Sequence, residues 1–182
     1  MTNMKTAPLL SFLVLGALGA TAGGCAISVE ADVPDVQVTQ HGIVFQGVPG
    51  ASLGGDMSMA KSYTQDHNKI DFPAGLDSEV RTLDLSLRAT GGVDDLSFIH
   101  YLRVTMAPDD GSPAVELGTY EAAPGAKVGK EIHLTTLNPI NVFAAWNTDR
   151  AKFTLEVVGV LPEHDWTGDV TAHFSGKLKY SY

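Results

Sequence analysis

The sequence predicts a mainly β protein: a single antiparallel β-sandwich, Ig-like or jelly-roll-like, with one short helix near residues 139–146. Three observations predict it. Apolar residues recur with a period of two along most of the chain after residue 35, the pattern of half-buried strands. Turns rich in Gly, Pro and Asp separate these runs, and no strand–helix alternation repeats. The chain has 182 residues, 44% of them hydrophobic and 18% charged, which suits one globular domain of ordinary size.

Taken in order, Val36 and Val38 alternate with Gln37 and Thr39, and residues 43–45 (IVF) follow beyond a turn at His41-Gly42. Residues 47–56 (GVPGASLGGD) form a loop by composition. Residues 61–72 are polar and compatible with an edge strand. Leu83, Leu85 and Leu87 alternate with Asp84, Ser86 and Arg88, an amphipathic strand with a leucine face. After a turn at 91–95, Leu96, Phe98, His100, Leu102, Val104 and Met106 share the next apolar face. The turn 108–111 (PDDG) combines a proline that presets φ with a glycine that permits positive φ. Residues 114–120 and 130–137 read as further strands on either side of Pro124-Gly125. Asn138 is suited to cap a helix with Pro139 at its first position, and Ile140, Phe143 and Ala144 follow at helical spacing up to Trp146. Phe153, Leu155 and Val157 mark another strand, and 161–168 a loop. The last strand alternates without a fault: Val170, Ala172, Phe174, Gly176, Leu178 and Tyr180 against Thr171, His173, Ser175, Lys177, Lys179 and Ser181. Polar faces carrying Arg88, Glu156, Lys177 and Lys179 favour a water-facing sandwich over a lipid-facing barrel.

The N-terminus reads differently. Lys5 is the only charge in residues 1–24, residues 9–20 are apolar, and small residues lead to Cys25, the single cysteine. The apolar run is too short to cross a hydrocarbon core, which needs about 20 residues, and its three-part layout is that of an export signal. Ala22-Gly23-Gly24-Cys25 resembles the lipobox of bacterial lipoproteins, with Ala22 where that family usually carries Leu. The resemblance covers residues 1–25 alone. It implies cleavage before Cys25 and attachment of fatty acyl chains, palmitate among them, to the cysteine. By the same resemblance, Ala26 rather than Asp after the cysteine favours the outer membrane over the inner. The expected organisation is a signal peptide over 1–24, an acylated N-terminus and short tether over 25–35, and a β-sandwich domain over 36–182.

Charge and cysteine usage exclude several functions. The formal net charge is −9; beyond residue 24 there remain 11 basic and 21 acidic residues, a net of −10. Nucleic acid is not an expected partner, because phosphate binding needs clustered Lys and Arg. One cysteine allows no intramolecular disulfide and no multi-cysteine zinc site. The six histidines are scattered without HxH or HExxH spacing, so no metal and no cofactor is expected. His100, on an apolar face, reads as a core or rim histidine. Asp94-Asp95 and Asp109-Asp110 are turn signals at opposite ends of one strand and cannot share an ion. The most chemical-looking cluster is Glu163-His164-Asp165-Trp166, the candidate ligand-binding residues. A carbohydrate site could use an exposed Trp166 beside carboxylates, but Trp166 reads first as an anchor closing one end of the sandwich. No GxSxG, P-loop or GxGxxG is present, and no catalytic residue is assigned. The expectation is therefore not an enzyme. It is an envelope lipoprotein bound to the membrane through Cys25, serving as a structural or protein-interaction module with an envelope protein partner. The alternative is a carbohydrate- or calcium-binding module that uses the loop aspartates and Trp166.

Overall fold

The computed structural model describes residues 28–50, 55–66, 76–137 and 148–181. Among them lie nine strands: β1 (Ser28–Phe45), β2 (Met57–Asp66), β3 (Leu76–Gly91), β4 (Ile99–Pro108), β5 (Val115–Glu121), β6 (Glu131–His133), β7 (Thr135–Thr136), β8 (Arg150–Gly159) and β9 (Trp166–Ser181). They form two sheets, sheet A in the order β1-β9-β3-β6 and sheet B in the order β2-β8-β4-β5-β7. Every pairing is antiparallel. The expected mainly β, sandwich-like arrangement is what the sheets make: one core lies between them. Sheet A contributes Leu85, Leu87, Val170, Ala172 and Phe174, and sheet B contributes Leu102, Val104, Met106, Leu155 and Val157. The helix expected at residues 139–146 lies outside the described residues, and no α-helix occurs among those described.

Where the structure departs from simple alternation, a bulge is the usual cause, since one inserted residue reverses the facing of those beyond it. Residues 28–35 are not a tether. Ser28 to Val33 pair with Ser181 to Gly176, so β1 begins inside the segment read as a linker. His41-Gly42 is not a turn between two strands. The register shifts between Gln40 and Ile43 while β1 continues, and Gly42 takes φ of 65° at that irregularity, a conformation glycine adopts without steric cost. The leucine face of β3 is broken at its first member. The register shifts between Thr82 and Asp84, leaving Leu83 49% exposed while Thr82, Leu85 and Leu87 are buried. His100 does not lie on the apolar face. A shift between Ile99 and Tyr101 buries Ile99 and turns His100 outward. Residues 130–137 are not one strand. β6 joins β3 in sheet A and β7 joins β5 in sheet B, with buried Leu134 between them, so this short stretch crosses the sandwich.

Of the polar stretch 61–72, residues 61–66 lie at an edge as expected: among the described residues β2 pairs with β8 alone and borders sheet B, while 67–72 lie outside the described residues. Its Tyr63 turns inward and stacks on Phe153 with ring centroids 5.3 Å apart. Burial pushes the Tyr63 phenol up to about 12, because the phenolate would lose its water. The bulge in β3 predicts unequal costs for its leucines. Leu85→Ala is expected to destabilise the domain by about 2–5 kcal/mol, and Leu83→Ala by under about 0.5 kcal/mol, as at other surface sites. Urea unfolding of the two variants measures the difference.

Candidate functional site

The Glu163–Trp166 cluster forms the turn between β8 and β9. Alternation along β9 sends Trp166 inward with Val170, Ala172 and Phe174. Its indole lies flat on Phe45, the last residue of β1, with centroids 3.9 Å apart and planes 8° apart. The edge of Phe98 closes from the side at 5.5 Å and 79°. Trp166 is 1% exposed, and among the described residues its Nε1 has no hydrogen-bond partner. The ring therefore offers no open face to a sugar. It plugs the end of the sandwich, the structural role that the sequence reading put first.

Its neighbours are tied to the backbone of two other loops. The Gly47 N–H donates to Asp165 Oδ1 at 2.7 Å, and the Val48 N–H donates to the Pro162 carbonyl at 2.9 Å. His164 Nε2–H donates to the Gly92 carbonyl at 3.0 Å. The chain after β1 and the chain after β3 are thus both held by the turn before β9. The approach is so close that a Cβ at Gly47 would collide with the carbonyl of Glu163. The polar atoms of His164 and Asp165, two of the candidate ligand-binding residues, hold loops.

The aspartate pairs are placed as turn residues. Asp95 Oδ1 accepts from the Ser97 N–H at 2.6 Å, and Asp110 Oδ1 from the Ser112 N–H at 2.9 Å, the Asx geometry by which aspartate shapes a turn. Hydrogen bonds from Ser97 and Ser112 hold these two carboxyls below the usual range. Asp94 is lowered by its hydrogen bond and ion pair with Lys130, at 2.7 Å. Among the described residues no three His, Cys, Asp or Glu side chains gather as a metal site. Cys25 lies outside the described residues.

A further set of pairs was not legible in the sequence. His41 Nδ1 meets Asp169 at 2.8 Å, His100 Nδ1 meets Asp56 at 2.7 Å, and His133 Nδ1 meets Asp84 at 3.1 Å. His173 Nε2 lies 3.9 Å from Asp35. The three hydrogen-bonded pairs join residues 44 to 128 positions apart, so no local spacing could have announced them. On sheet B, Arg103 pairs with Glu156 of the neighbouring strand. These contacts are partly exposed and contribute modestly. Compared with known proteins, the chain matches no family model and no curated relative.

Two predictions follow from the packing here. Trp166→Ala is expected to cost about 3–5 kcal/mol, and Gly47→Ala to lower the melting temperature because the Glu163 carbonyl blocks its methyl. Both are read by thermal unfolding followed by circular dichroism. Asp169 gives a pH test. The Gly42 N–H, donating at 2.8 Å, and the His41 ring hold its carboxyl below the ordinary value. A carboxyl lowered on folding stabilises the protein fully above the unfolded value of about 3.9, and that contribution is lost as pH falls toward the folded value. Asp169→Asn is therefore expected to unfold more readily at neutral pH and to show a smaller loss of stability on acidification than the parent. Urea midpoints measured across the acid range check both.

Proposed function

We propose that the chain is a lipid-anchored cell-envelope lipoprotein, held through acyl chains on Cys25, whose body is a non-catalytic structural or protein-interaction module. The fold falls in the Ig-like or jelly-roll-like class of sandwiches, a reading supported by strands distributed over two antiparallel sheets. The observation that carries the address is the lipobox-like Ala22-Gly23-Gly24-Cys25 at the end of a short apolar run. A single acyl chain binds a membrane only marginally; two or three, at about 0.8 kcal/mol per buried methylene, bind it stably. The body's role is supported by the use its polar clusters are put to. His164 and Asp165 hold loops, Asp95 and Asp110 shape turns, and Trp166 fills the core. The acidic balance of the chain suits a body facing water and disfavours nucleic acid. The outer membrane is the favoured address, and an envelope protein the favoured partner.

The test is chemical. Intact mass of the purified protein is expected to show a start at Cys25 with added acyl chains, and Cys25→Ser is expected to move the protein from the membrane fraction to the soluble one. An unmodified mass, or a serine variant equally firm in the membrane, refutes the anchor. A stoichiometric protein partner co-purifying in detergent supports the interaction role, and a monomer that binds glycans refutes it.

A further inference from the structure

Two turns carry the same side-chain bond on different backbones. Asp95, in the loop after β3, accepts from the Ser97 N–H, and Asp110, between β4 and β5, accepts from the Ser112 N–H. Both aspartates are exposed. In each the bond spans one intervening residue, so the carboxyl folds back over the next peptide nitrogen, that of Leu96 or of Gly111.

The two nitrogens differ. Leu96 is fully buried, and its N–H donates to the Gly129 carbonyl at 2.7 Å. Gly111 is exposed, with φ of 83°, and a Cβ built on it would meet nothing within 4 Å. Among the described residues its N–H donates to no backbone carbonyl. Asp110-Gly111 is also the single Asp-Gly step in the chain, which has no Asn-Gly step.

We infer that Asp110-Gly111 is a site of spontaneous covalent modification, at which the aspartate isomerises to isoaspartate through a cyclic succinimide. The Gly111 nitrogen forms a bond to Cγ of the protonated Asp110 carboxyl. The carboxyl's hydroxyl leaves with the Gly111 amide proton as water, and a five-membered ring closes. A water then adds to one of the two ring carbonyls. At Cγ it breaks the new C–N bond and restores aspartate. At the main-chain carbonyl it breaks the original peptide bond, so the chain runs on through Cγ and the main-chain carbon becomes a free carboxyl. One water leaves and one returns: the mass is unchanged, and no oxidant or cofactor takes part. Glycine favours the step because no side chain crowds the attacking nitrogen and its backbone turns freely. At Asp95 the buried side chain and the hydrogen-bonded N–H of Leu96 hold the corresponding nitrogen in place. The product lengthens the link between β4 and β5 by one backbone carbon and converts the Asp110 side chain into main chain. The inference stands on this turn alone and is independent of Cys25.

The experiment incubates the folded full chain for weeks, warm but below its unfolding temperature, in mildly acidic buffer where the protonated carboxyl is more abundant. Circular dichroism confirms that it stays folded. Peptides are then mapped by electron-transfer dissociation, which separates isoaspartate from aspartate at equal mass, against an unincubated sample. Isoaspartate is expected to accumulate at 110 several-fold above its level at 95, and to vanish from that peptide in Asp110→Glu. Its absence at 110, or equal levels at 110 and 95, overturns the inference. So does isoaspartate that forms at 110 only in urea, since the folded turn then forbids the ring. Isoaspartate persisting in the Asp110→Glu peptide comes from Asp109 and overturns the assignment.

Discussion

β9 is the strand through which sheet A coheres. β1 lies along one edge of it and β3 along the other, and both registers run from Ser181 or Tyr180 back toward Trp166. A strand with a neighbour on each side satisfies its backbone donors and acceptors within the sheet, which a buried chain requires. Its inward residues are large at the end, at Trp166, and small at Gly168 and Ala172. Gly168 has to be small: a Cβ there would press on Leu87 and on the backbone of Arg88. The alternation of one sixteen-residue strand thus sets both the pairing of three strands and the floor of the core.

The end of the sandwich is closed by aromatic packing rather than by charge. Phe45, Phe98 and Trp166 come from three strands or their loops and meet in one cluster, Phe45 flat against the indole and Phe98 edge-on to it. Aromatic pairs of this kind add about 0.5–1.5 kcal/mol beyond the area they bury. The surface His–Asp contacts join strands across both sheets but stay in water, where each pair contributes roughly 0–1 kcal/mol. They pin register and loop position more than they supply stability. The bulges at Leu83 and His100 have the same logic in reverse, giving up regular alternation so that Thr82 and Ile99 reach the interior.

Composition and period two were enough to announce a β sandwich, because solvent on one face of each sheet imposes alternation on the chain itself. The edge position of β2 and the inward alternation of Val170, Ala172 and Phe174 were legible for that reason, whereas Trp166, expected as an anchor within a loop, is the first residue of β9. Residues 28–35 were misread because Glu30, Asp32 and Pro34 resemble a linker until β9, more than 140 positions away, supplies the partner. The leucine face, the placing of His100 and the division of residues 130–137 between two sheets escaped for a related reason. Each turns on a bulge or a crossing that neighbouring strands decide. The sequence by itself determined which segments could be strands, since burial of one face is a local demand. Only the tertiary structure decided their register, their sheet and their partners, since those depend on backbone hydrogen bonds and packing between residues far apart in the chain.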